Sequence, residues 1–267
     1  MRHLAVVLAA VLAASCSPAL REPPSIEKIA SKPAPVALSD AASLLREADR
    51  RWAERPDLAA VREAESLYLR AAELNDMDVL GLIGATRTKA WQTEHEREAK
   101  RRVEYAVSAV QTAQWCERRD PGLAACDYWL AVAVGLQARE VRITADDGLK
   151  TMMPALERAI EGDPTYDDAG PHRVMALLLL RAPGWPVGPG DVEAGLTHAR
   201  EAVALRPDFP PNLFALAEAL AANEDKEGAR EAYTKGKALA AARREALDPD
   251  APFWIVEADE ALSKLTP

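Results

Sequence analysis

The chain is short of the residue types that do chemistry. It has four histidines and three cysteines in 267 residues. None of His3, His95, His172 and His198 stands at helical spacing from another histidine or cysteine, so no metal-ligand pair is legible. There is no glycine-rich phosphate loop, no Gly-x-Ser-x-Gly elbow and no defensible Ser/His/Asp order, so the expectation is a protein that is not an enzyme and carries no cofactor. Asp146-Asp147-Gly148 lacks the alternating acids and closing glutamate of a calcium loop and reads as helix-start acid. Basic charge is in deficit: the formal net charge is −9 and the pI near 5.1, which argues against nucleic acid as a partner. Strand signals are nearly absent. The longest apolar run, Leu4–Ala14, is too short to cross a bilayer as a helix.

That run has the length of a signal peptide, follows Arg2 and His3, and ends in Ala13-Ala14-Ser15-Cys16. Small residues before a cysteine read as a lipobox. Residues 1–15 are then the signal peptide, and Cys16 is the lipidated first residue of the mature chain. The bland reading is an ordinary signal cleaved near Ser15. Ser17, rather than an aspartate, follows the cysteine, which by the familiar sorting pattern points to the outer membrane, periplasmic side. The lipid is then the membrane contact and the body stays soluble. Residues 16–38 read as a linker, because Pro18, Pro23, Pro24, Pro33 and Pro35 prevent a long helix and favour an extended spacer.

From residue 39 to 267 the chain reads as one all-α domain rich in Ala, Leu, Glu and Arg. Leu156, Ala159, Ile160, Asp163, Pro164 is repeated in type by Ala199, Ala202, Val203, Arg206, Pro207, each ending an amphipathic helix that another apolar helix follows. Helix, turn, helix, repeated, predicts a solenoid. Counted from Pro207, the positions Leu213, Leu216, Ala217, Leu220, Ala229, Tyr233 and Gly236 fit the tetratricopeptide pattern, in which small residues let helices approach and an aromatic fills the wedge. The expectation is a right-handed α-solenoid of about five tetratricopeptide-like hairpins, closed by a capping helix from Pro252 to Leu265.

Ser39 or Asp40 reads as the first helix cap, and Asp57 and Asp208 as later ones. Thr93-Glu94-His95-Glu96 reads as a capping box opening a helix. Asp120-Pro121 reads as cap and first helical residue of the third hairpin. Cys116 and Cys126 flank that turn, and are either a disulfide, plausible in an exported protein, or two small buried hydrophobes.

Two stretches suggest a binding surface. The fourth repeat spans 43 residues from Pro164 to Pro207, against about 34 for a standard repeat. Its extra length is Arg181-Ala182-Pro183-Gly184-Trp185-Pro186-Val187-Gly188-Pro189-Gly190-Asp191, which either displays Trp185 for binding or uses it to plug a groove of its own chain. Before it, Asp167-Asp168-Ala169-Gly170-Pro171-His172-Arg173 opens a helix. Either His172 and Arg173 join free N–H groups to hold an anion, or Asp168 caps the helix and Arg173 makes a salt bridge.

The lipoprotein start, Tyr128-Trp129 opening a helix, Asp163-Pro164-Thr165-Tyr166-Asp167 with Gly170 and Arg173, the Pro183-Gly184 loop and Pro207-Asp208-Phe209-Pro210-Pro211-Asn212 together resemble the TatT family, the tetratricopeptide lipoproteins associated with TRAP transporters. The resemblance covers most of the mature chain and is best from Cys126 to Ala222. It implies an accessory to solute transport, working with a periplasmic solute-binding protein. It also implies a ring-like homotrimer with a pore through each subunit for small apolar or organic-acid ligands. The residues singled out for ligand or partner are Tyr128, Trp129, His172, Arg173 and Trp185. The loop around Trp185 departs from the family's more glycine-rich form. The alternative function is a general scaffold for envelope protein assembly.

Overall fold

The computed structural model describes residues 18–30 and 40–265. The signal segment 1–15, Cys16, Ser17 and residues 31–39 lie outside the described residues. Twelve α-helices and one 3-10 turn are described, with no strand among them: α1 Ile26–Ile29, α2 Ala41–Ala53, α3 Leu58–Leu74, α4 Leu80–His95, α5 Ala99–Arg119, α6 Ala124–Glu140, α7 Ala145–Gly162, α8 Tyr166–Arg181, α9 Val192–Leu205, α10 Pro210–Ala222, α11 Lys226–Glu245 and α12 Ala251–Leu265. Helices α2 to α11 pair as five antiparallel hairpins, and α12 packs on α11 as the terminal helix. This is an α-solenoid.

Helix starts follow local chemistry. Asp40 accepts from Ser43 N at 2.8 Å and Asp57 accepts from Ala59 N at 2.8 Å. Asp191 and Asp225 do the same for α9 and α11, each such cap contributing about 1 kcal/mol. In the last hairpin Ala217, Ala229 and Gly236 are buried at the α10–α11 contact. A Cβ on Gly236 would stand 2.5 Å from the Phe214 ring, so only glycine admits that approach.

Three expected starts are corrected. Thr93 does not open a helix: α4 runs through it, and its hydroxyl donates to Lys89 O at 2.8 Å. Glu96 ends α4, and its carboxylate accepts from Arg97 N and Glu98 N rather than reaching back to Thr93. Asp120 is the C-cap of α5, and α6 starts later, at Ala124, because Pro121-Gly122 form the turn with Gly122 at φ 85°. Asp208 makes no cap: Phe209 is the N-cap residue of α10, and Pro210 and Pro211, which need no N–H partner, begin the helix.

Cys116 and Cys126 are joined, with their Cα atoms 5.4 Å apart. The described part of the proline-rich segment is not a free spacer. It is strapped across the hairpins: Ala19 is buried and its N–H donates to Asp147 Oδ2 at 2.7 Å, and Pro24 O accepts from Trp115 Nε1 at 2.8 Å. Glu22 pairs with Arg118, and Ile26 buries against the Cys116 and Cys126 cluster. Buried Ala19 and half-buried Leu20 pack on the α5–α7 cluster, and buried Ile26 packs on α3, α4 and the disulfide, which holds the segment down.

Candidate binding chamber

The first helices of the hairpins, α2, α4, α6, α8 and α10, line the inside of the solenoid together with the start of α12. They surround a chamber of about 520 Å³. Its lining alternates aromatic and charged groups: Trp52, Trp91, Trp129, Phe209 and Trp254 with Arg55, Arg87, Arg173 and Arg243.

The two ends of the solenoid meet along one side of the chamber. Asp250, at the start of α12, accepts from Arg55 Nη2 at 2.6 Å and from Arg55 Nε at 3.0 Å. The same carboxylate accepts from Trp91 Nε1 at 3.2 Å. Phe253 stands edge-on to Trp91 and to His95, whose own rings are stacked 3.9 Å apart. Arg55 is only 14% exposed, so its bidentate pairing with Asp250 is screened less than a surface pair.

The guanidiniums are stacked and paired. Arg55 and Arg87 lie over Trp52 at 4.2 and 4.9 Å, and Arg173 and Arg243 over Phe209 at 5.1 and 5.4 Å. Such contacts hold a planar cation side-on with its edge free to hydrogen-bond.

Arg173 organises the α6–α8–α10 wall. Asp167, Asp168 and Ala169 take left-handed backbone angles, φ 49°, 54° and 61°, an uncommon conformation for residues with a Cβ. Donors from elsewhere hold the turned segment. Arg173 donates to Asp168 O at 3.1 Å and pairs with Asp167 Oδ2 at 3.1 Å. Buried Asn212 donates to Asp168 O at 3.0 Å and accepts from Arg173 Nη1 at 2.9 Å. Tyr128 OH donates to Asp167 Oδ2 at 2.5 Å, and burial, with Asp167 beside it, pushes its hydroxyl well above the usual tyrosine range. A Cβ on Gly170 would meet that hydroxyl at 2.6 Å. Of the two readings of Arg173, the salt bridge is the one seen. Asp168 does not cap α8; its carboxylate faces Arg206 at 3.8 Å.

At the other end of the chamber are Glu94, Glu218 and Glu257 with Arg181. Arg181 donates to Glu218 at 2.7 and 2.8 Å. Glu257 is pushed up to about 7, first by burial, then by Glu94, with Glu218 and Glu260 adding and Arg181 opposing. Its side chain is solvent-exposed on the chamber wall, yet protein atoms crowd it, so its charge is costly there.

The structure brings Tyr128, Trp129 and Arg173 together on this wall, with Trp129 Nε1 donating to Tyr166 OH at 3.0 Å. It does not bring His172 or Trp185 there. His172 points away from Arg173 onto α9, its Nδ1 3.0 Å from Nδ1 of His198. Burial, and for His172 also its neighbour, lowers both imidazoles. No group of three or more His, Cys, Asp or Glu side chains able to hold a metal is found among the described residues. Trp185 is 90% exposed on its loop and plugs no groove. Sequence reading missed Trp52, Arg55, Arg87, Trp91, Phe209, Arg243, Asp250 and Glu257. One signal was available: Trp52, Trp91 and Trp129 recur at intervals of 39 and 38 residues, close to one hairpin each.

Among solved structures, the chain is similar to TTC0263, a thermophilic TPR protein of Thermus thermophilus, at 21% identity and a TM-score of 0.62, over 83% of this chain and 98% of that one. The chain folds as a tetratricopeptide-type solenoid. Weaker likenesses, both at a TM-score of 0.45, are to MamA protein, at 14% identity over 77% of this chain and 94% of that one, and to YrrB, a TPR protein with an unusual peptide-binding site, at 16% identity over 83% and 92%. No protein-family model matches the chain, and no curated protein does.

Proposed function

We propose that this tetratricopeptide-type solenoid is a non-catalytic binding module, anchored through Cys16 in the bacterial envelope and facing the periplasm, whose chamber holds a segment of a partner protein. The clasp of Arg55 and Trp91 on Asp250 carries the reading, because it turns an open solenoid groove into a walled chamber lined by aromatic and guanidinium groups. Such walls suit recognition: aromatic faces supply contact area at low entropy cost, and the paired charges orient a polar segment. Tetratricopeptide solenoids serve as protein-interaction scaffolds, and a role in envelope assembly follows from the export signal.

A second reading keeps the chamber and changes the occupant. A half-open space of about 520 Å³ also has the size of a small-molecule site. That favours a small organic ligand exchanged with a solute-binding protein, the TRAP-type accessory role implied by the family resemblance, with a trimer of such chains.

The test is a photo-crosslinking residue at Leu177, on the chamber wall, in the lipidated protein in its native envelope, with adducts identified by mass spectrometry. The proposal expects a protein adduct that disappears when Val174→Trp fills the chamber. Adducts unchanged by Val174→Trp would place the partner elsewhere and end the chamber reading. A solute-binding protein as the adduct selects the second reading; an assembly protein selects the first.

A further inference from the structure

The start of the described chain and the Trp185 loop lie at one edge of the solenoid, and this bears on how the protein sits on a membrane. The chain reaches the body at Ala19, which is buried and fixed to Asp147 at the start of α7. Cys16 precedes Ala19 by three residues. Three extended residues span at most about 10 Å. A lipid on Cys16 therefore holds the bilayer surface within about that distance of the α7 start.

The same edge carries the turns that join the two helices of the third and fourth hairpins. Helices α7 and α8 are consecutive and antiparallel, so the end of α8 returns to the level where α7 begins. The loop of residues 182–191 lies there, with Pro186, Val187 and Pro189 against Asp146, Leu149, Lys150 and Met153 of α7. Three large apolar side chains project from this edge: Trp185, Val187, which is 79% exposed, and Ile143, which is 57% exposed. Arg142 and Lys150 are exposed beside them.

The loop is built to hold that display. Gly190 N donates to Pro183 O at 2.8 Å, Val187 N and Gly188 N donate to Gly184 O at 3.1 Å, and Asp191 N ties the loop back to Leu179 O at 3.0 Å. A tryptophan held in water by an ordered loop forgoes the burial open to a core side chain. The headgroup layer is where an indole regains it. The opposite edge also exposes Leu74, Met77 and Leu80, but the strap runs towards that edge from Ala19, so the chain start is not there, and no aromatic projects with them.

We propose that the edge bearing Ile143, Trp185 and Val187 is seated on the lipid surface, with Trp185 in the headgroup layer and Arg142 and Lys150 facing lipid phosphates. The inference rests on lipidation of Cys16. The lipid supplies the attachment. The loop supplies the orientation, so that the body is docked on the membrane rather than swinging from a spacer.

The experiment uses the full lipidated protein in vesicles of phosphatidylethanolamine and phosphatidylglycerol, with and without brominated acyl chains. Bromine quenches indole within the bilayer. Wild type is expected to lose the Trp185 share of its fluorescence, one tryptophan of six, and Trp185→Phe to show no quenching. The substitution is at an exposed site and leaves the fold intact. Equal quenching ratios in the two proteins overturn the proposal. Hydrogen exchange on the wild type gives an independent reading: bilayer protection of residues 141–147 and 182–191 supports it, and protection of residues 74–80 instead overturns it. Mass spectrometry of the Cys16 peptide separates the two levels. An unmodified cysteine brings down the anchor and this orientation together, whereas a lipidated protein with unquenched Trp185 brings down only the orientation.

Discussion

The two halves of the solenoid keep the same architecture by different means. In the second and third hairpins the first helices are enclosed on nearly every side. Helix α4 buries Thr86, Thr88, Lys89, Gln92 and Thr93, and α6 buries Asp127 and Gln137. Lys89 is wholly enclosed, its ammonium donating to Thr112 Oγ1 at 2.9 Å and standing 3.7 Å from Glu65, and burial lowers it below the usual lysine range. Asp127 takes Arg158 at 2.5 Å. This half is also cross-linked by Cys116–Cys126 and strapped by residues 18–30. In the fifth hairpin the contact is made by Ala217, Ala229, Ala232 and Gly236, all small and apolar. Polar interiors need partners in fixed places; alanine contacts need only close approach. The second and third hairpins therefore depend on specific pairings and staples, and the α10–α11 contact on volume.

The largest test of that difference removes the staple. Replacing Cys116 and Cys126 by alanine together is expected to cost about 2.7 kcal/mol in the chain-entropy account, given their separation of 10 residues. Denaturant unfolding read by circular dichroism gives the loss. Amide exchange should show it concentrated in α5 and α6; a loss spread evenly into α10 and α11 would mean that the halves are not distinct.

A smaller and opposite effect is expected inside the polar half. Lys89→Met keeps most of the side-chain volume and removes the desolvated charge. It should be neutral or slightly stabilising, by up to about 1 kcal/mol, because the ammonium's desolvation cost is removed while Glu65 stays partly exposed and keeps the Gln92 Nε2 donor at 2.6 Å. Thermal melts settle the sign. A clear destabilisation would show that the Lys89 pairing with Thr112 and Glu65 is worth more than the burial of its charge.

The smallest effect concerns the end helix. The Glu257 carboxyl binds its proton more tightly in the folded protein than in the unfolded chain. Between the ordinary glutamate value of 4.5 and about 7 the unfolded state releases protons that the folded state keeps, so stability falls as pH rises through that window. Below it both states are protonated and the term vanishes. Glu257→Gln should melt like wild type near pH 4 and higher than wild type above pH 7. Glu257 is solvent-exposed, which screens the effect, so the gap should stay under about 4 °C. A gap that is larger at low pH would reverse the assignment.

The comparison also explains what could be read without coordinates. Ala217, Ala229, Tyr233 and Gly236 showed the fifth hairpin because one face of each helix is buried and the other is wet, and that contrast survives as periodicity. Helices α4 and α6, buried nearly all round, lose the contrast. Thr93 and Glu96 then imitated a helix start within the end of α4, and Asp120 imitated one at the end of α5. Tyr128, Trp129 and Arg173 were singled out from one continuous region, but the groups facing them lie far away in sequence: Arg55 meets Asp250 across 195 residues.

What the chain determined by itself was local. Helix formers, capping aspartates and recurring small residues specify paired helices and their stacking, because those interactions span three or four residues within a helix or one hairpin to the next. Closure of the solenoid, the walled chamber and the shared edge of Ala19 with Trp185 were decided only in three dimensions. Each depends on the small rotation from hairpin to hairpin summed over five repeats, and a sum of that kind leaves no mark at any single position.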